Sequence, residues 1–104
     1  MKKLIIAIVA TLLIATPSFA DNTKEQVLGF CSTLSGLAEL MMQARQAGAS
    51  MEDNLKVAQA LPLAEAILIE AYNSPRFHTE EAQNRAVQDF KNSIFVQCYT
   101  TFNK

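Results

Sequence analysis

The amino-acid sequence predicts an all-α protein: a small bundle of four helices, two of them short, clamped by one disulfide between the first helix and the last. Three observations lead there. Apolar residues recur at three- and four-residue spacing through most of the chain, with no strand-length alternating run and no internal repeat. Capping residues and breakers divide that pattern into four segments. The only two cysteines, Cys31 and Cys98, fall on the apolar stripes of the first and last segments.

The first residues read as an export signal. Met1-Lys2-Lys3 is a short basic start, and Leu4 to Ala15 is apolar except for Thr11. Thr16-Pro17-Ser18-Phe19-Ala20 then places small residues for cleavage after Ala20. A retained membrane helix would need about 20 apolar residues, and Pro17 and Asp21 cut this run short. Position 21 is Asp and not Cys, so nothing supports a lipid-anchored mature end.

Cleavage would leave 84 of the 104 residues, a single helical domain over 21–104. Losing Lys2 and Lys3 takes nine basic residues to seven against ten acidic ones, a net charge of −3. Such a chain lacks the clustered Lys and Arg that nucleic acid requires. It also lacks a basic stripe for an anionic membrane surface, and no membrane span is expected after cleavage.

In the oxidising compartment that export implies, two cysteines allow one pairing. A loop this long would contribute about 4 kcal/mol in the chain-entropy model, a large share of a typical total of about 5–15 kcal/mol. A reactive or metal-binding thiol pair would call for a C-x-x-C spacing or several histidines. The chain has neither, so the disulfide reads as structural, and no metal or cofactor is expected.

Thr23 with Gln26 fits a capping box at the start of the first helix, with Asn22 and Glu25 an equivalent choice one residue earlier. Val27, Phe30, Cys31, Leu34, Leu37, Ala38 and Met41 then form one stripe, and Gly48 is a natural stop. Ser50 caps a short second helix, with Glu52 and Asp53 at its positive end and Met51, Leu55 and Ala58 on its apolar side. Pro62 breaks the chain and suits the first position of a third helix, Leu63 to Tyr72. That segment is apolar nearly all round, which predicts burial in the middle of the domain. Thr79, followed by Glu80 and Glu81, starts a fourth helix running toward Thr101, with Val87, Phe90, Ile94 and Cys98 as its inner stripe.

Three places hold candidate functional residues. The connector Tyr72 to His78 carries a tyrosine, an arginine and the sole histidine just after Glu70. Read plainly, it is a turn: Asn73 and Ser74 end a helix and Pro75 forbids its continuation. Read as a site, Tyr72, Arg76 and His78 are candidate partner contacts, two of them of types common in interface hot spots. No nucleophile with a base at a known spacing and no phosphate loop accompanies them, so catalysis is not expected.

The second place is a strip of small residues, Gly29, Ser32, Thr33 and Gly36, opposite the first apolar stripe. It is either a tolerant outer face or a flat approach for another backbone. The third is an aromatic row, Phe95, Tyr99 and Phe102, beside the inner stripe of the last helix. Such a row reads first as core and, if exposed, as a contact for a partner or a homodimer. Met41, Met42 and Met51 lack an alternating Met/His motif and read as packing residues.

The blocks FCSTLSGLAELMMQARQAG and AYNSPRFHTEEAQNRAVQDFKNSIFVQC resemble a group of small exported proteins of Gram-negative bacteria and their prophages. The resemblance spans most of the mature chain, through the Ala-Tyr-x-x-Pro-Arg turn, the Asp89-Phe90 pair and the late Cys98. It implies a periplasmic setting and one disulfide between the end helices. It implies no activity, so no functional residue is carried over.

The leading expectation is a non-enzymatic periplasmic protein that binds another periplasmic or envelope protein, as an inhibitor, an immunity-type antagonist or an accessory subunit. A chaperone activated by acid or stress is the second reading, since acid would strip the carboxylates of their charge and favour expanded states. A small hydrolase using the Tyr72–His78 connector is the third.

Overall fold

The computed structural model describes residues 23–103; the expected export signal and its cleavage site lie outside them. Four helices follow in order: α1 (Lys24–Ala47), α2 (Met51–Ala58), α3 (Pro62–Tyr72) and α4 (Glu80–Phe102). No strand occurs among the described residues.

Local chemistry sets each boundary. At the start of α1 the Thr23 hydroxyl accepts from Gln26 N–H (3.2 Å), and the Gln26 side chain accepts from Thr23 N–H (2.9 Å), a complete capping box. At its end Gly48 takes the left-handed conformation (φ 88°), which lets Gly48 and Ala49 N–H close on Arg45 and Ala44 carbonyls. Ser50 caps α2 through Asp53 N–H, and Thr79 caps α4 through Ala82 N–H. Pro62 opens α3, where its missing N–H costs nothing.

The two long helices, α1 and α4, form an antiparallel pair. Cys31, early in α1, is bonded to Cys98, late in α4 (Cα–Cα 5.6 Å). At the other end Met42 of α1 packs with Val87 and Phe90 of α4. All four residues expected on the inner stripe of α4 are buried. By length and apolarity α1 would suffice to cross a membrane (mean hydropathy 1.2). Here its apolar side faces α4 on one flank and α3 on the other.

Two expectations need correction. The buried seam of α1 keeps Val27, Cys31 and Ala38 of the expected stripe but continues through Ser35, Met42 and Gln46, rotated from Leu37 and Met41. The cause is that α1 is packed from two sides. Its seam meets α4, while Leu34, Leu37 and Met41 are half-buried toward α2 and α3. The rotation brings two polar residues inside, and both are satisfied: Ser35 donates to the Ser32 carbonyl, and Gln46 is described below.

The second correction concerns α3, which lies on the outside of the bundle and not in its middle. It buries Ala64, Ile67, Leu68 and Ala71 but leaves Leu63 and Ile69 substantially exposed. Only α1 and the eight-residue α2 pack closely on it, and α2 is too short to cover its remaining sides.

Candidate functional site

The Tyr72–His78 connector is a clasp that ties the α3–α4 turn to the end of α1. Gln46, only 3 % exposed, holds it with both ends of its side-chain amide. Its Nε2 donates to the Pro75 carbonyl (2.9 Å) and its Oε1 accepts from Phe77 N–H (2.8 Å). Arg76 Nε donates to the Gln46 carbonyl (3.0 Å), one of the carbonyls that a helix end leaves without an internal partner. Arg45 Nε donates to the Ser74 carbonyl, and its guanidinium lies 5.4 Å from the centre of the Tyr72 ring. The Tyr72 hydroxyl donates to the Ala49 carbonyl (2.8 Å) and accepts from the Asn54 amide (3.2 Å). Gly48 is favoured by its positive φ, and a Cβ there would sit 2.9 Å from Arg76 Nη2, so the end of that flexible side chain would have to shift.

These bonds account for Tyr72 and Arg76. His78 is exposed and has no hydrogen bond or ion pair among the described residues. Glu70 and Tyr72 are two residues apart, about 200° of helical turn, and so lie on opposite sides of α3. The four side chains that would make an acid–base cluster are therefore not gathered. Among the described residues no three His, Cys, Asp or Glu side chains stand close enough to hold a metal ion.

The other two sequence candidates separate clearly. A Cβ added at Gly29 or Gly36 would meet nothing within 4 Å, so the small-residue strip faces outward and does not serve close internal packing. Phe95, Tyr99 and Phe102 are half-buried around the disulfide, together with Phe30, and pack on the buried Val27. Phe95 stacks on Tyr99 (6.0 Å, 8° between planes), and Phe30 meets Phe102 edge-on (5.6 Å, 84°). This row chiefly covers the disulfide.

What sequence reading missed is the open surface on either side of α3. α3 and α4 both lean on α1, and Ile67 and Ala71 share a buried cluster with Phe90 and Ile94, but the two backbones come close at few points, so a groove runs between them with Leu34 of α1 in its floor. Leu63, Ala66, Ile67 and Glu70 form one wall, and Ile94, Gln97, Cys98, Thr101 and Phe102 the other. Both sets fall at i, i+3, i+4 and i+7, with Phe102 at i+8 in the second, the edge of a helix. Beyond Glu70 lies an adjoining concavity of mixed character, where Ser74, Asp89 and Ser93 stand beside Pro75, Phe77, Ala86 and Phe90. A second, apolar groove lies on the other flank of α3, where Leu40 (63 % exposed), Val57 (79 %) and Leu61 (63 %) surround Met41, Ala58 and Ala64. The signal for both is the apolar perimeter of α3, which by itself predicts central burial as readily as an open flank.

Fold and surface together define a small disulfide-clamped helical protein with apolar grooves beside one outer helix. No protein-family model matches the chain, and no curated protein or solved structure matches it either.

Proposed function

We propose that the protein acts by binding another protein, in the exported and oxidising setting that its N-terminal sequence and its disulfide favour, and that catalysis is not its role. The observation that carries this reading is the flank of α3. Leu40, Val57, Leu61 and Leu63 remain exposed beside grooves that the chain's own helices leave unfilled. Contiguous exposed apolar surface with a polar rim is the usual mark of a protein-binding face. An inhibitor, an immunity-type antagonist and an accessory subunit would all use such a face.

The grooves also weigh against a chaperone activated by acid. A protein of that kind keeps its apolar surface covered until acid expands it. Here the surface is open while the fold is intact. Acid would break one ion pair among the described residues, Lys91 with Glu39 (3.2 Å), a half-exposed contact worth about 0–1 kcal/mol.

Site-specific photo-crosslinking tests the proposal. A photoreactive residue at Leu63 or Val57 should capture one defined envelope protein at neutral pH, while the same residue at Ser32, on the small-residue strip, should not. Capture from Ser32 or His78 alone would move the binding face away from α3. Capture confined to acid conditions, with many clients, would restore the chaperone reading.

A further inference from the structure

We infer that the groove between α3 and α4 receives an amphipathic α-helix of the partner, with its apolar anchors toward Leu63 and a basic residue at the Glu70–Asp89 end. This rests on the protein-binding reading above and specifies its partner.

The shape comes from the three helices. The channel is floored by α1 and walled by α3 and α4, so a further helix lying in it would complete a bundle layer that the chain leaves open. From Ala86 to Phe102 the wall of α4 is about 24 Å long, the length of roughly 16 helical residues. Its outward edge carries Asp89, Ser93, Gln97 and Thr101 at four-residue spacing, with no long cationic side chain to obstruct a visitor. Helix-in-groove binding needs this combination of an apolar floor and a polar rim.

The chemistry changes along the groove. Leu63, Ile67, Ile94 and Phe102 make one part apolar. Glu70, about two helical turns beyond Leu63, and Asp89 make the other part acidic, and neither is ion-paired among the described residues. A visitor matching this pattern carries Leu- or Ile-type anchors over two turns and a Lys or Arg in the next. A second copy of the chain fits poorly, because a two-fold pairing of this groove with itself would set Glu70 and Asp89 either against the same two carboxylates or against the other copy's apolar end, and offers them no cation in either case. An anionic membrane surface is repelled by the same two groups.

Three synthetic 16-residue peptides test the inference by fluorescence anisotropy against the oxidised protein. One is an amphipathic Leu helix with Lys in its third turn, the second carries Glu there, and the third is a scramble of the Lys peptide without an apolar face. The Lys peptide should bind about tenfold more tightly than the Glu peptide, as two rim charge pairs and the lost repulsion imply. Glu70→Gln with Asp89→Asn should bring the two peptides within about twofold. Leu63→Ser should weaken the Lys peptide without lowering the melting temperature. Equal binding of the Lys and Glu peptides, or of the scramble, would overturn the inference, as would no binding at all. Because these readouts are separate from crosslinking at Leu63 and Val57, a partner captured there despite such a result would leave the protein-binding reading standing.

Discussion

The α1–α4 pair and the α2–α3 flank hold their surface differently, and the most apolar helix, α3, belongs to the flank. The pair is closed at one end by Cys31–Cys98 and at the other by the Gln46 clasp, with Ala38, Met42, Phe90 and Ile94 buried between. The flank is attached through one side of α3, and Leu61, Leu63 and Val57 stay in contact with water. The cross-links therefore lie in one half, while four exposed large apolar side chains, Val57, Leu61, Leu63 and Ile69, lie in the other, against Leu28, Leu40 and Val96 on the pair. A short chain buries a modest core, and concentrating cross-links in one half allows the other to stay open.

If that division is correct, the largest loss of stability comes from the closed half. Replacing both cysteines by serine removes a cross-link between residues 67 apart, and we expect a loss of about 4 kcal/mol in urea denaturation. The clasp comes next. Gln46→Leu keeps the volume but leaves the Phe77 N–H and the Pro75 carbonyl without their partner, a cost of about 1–3 kcal/mol. Hydrogen exchange should locate the damage, with Phe77 losing protection while the Cys31–Cys98 end keeps it. Smaller again is Gly48→Ala, at about 1–2 kcal/mol for the positive φ alone. The terminal Arg76 nitrogens also have to move away from the new Cβ. If Gln46→Leu and Gly48→Ala were both neutral, the connector would be an ordinary turn and not a clasp.

The helix boundaries were legible because each is a local event. Thr23, Ser50 and Thr79 as caps, Pro62 as a first residue and Gly48 as a left-handed stop all act within four residues of their own position. The inner stripe of α4 was legible too, since that helix faces the core on one side only. The rotation of α1 was not, because its apolar residues serve two neighbours and a single stripe averages them. The position of α3 was hidden for a related reason: a helix apolar all round does not say which side faces inward. The clasp joins Gln46 to residues about 30 positions away, a distance at which spacing rules say nothing. The groove was the least legible feature, being the gap that two helices leave when both lean on a third.

The most direct test of the division between halves is the effect of Leu63→Ser on stability and on capture in the same protein, with the photoreactive residue at Val57 or Ala66. Leu63 is 48 % exposed, so we expect a stability change within about 0.5 kcal/mol together with loss of capture from the α3–α4 groove at Ala66. A melting temperature several degrees lower would show that the flank helps hold the fold. Undiminished capture from Ala66 would show that the groove is not where the partner binds.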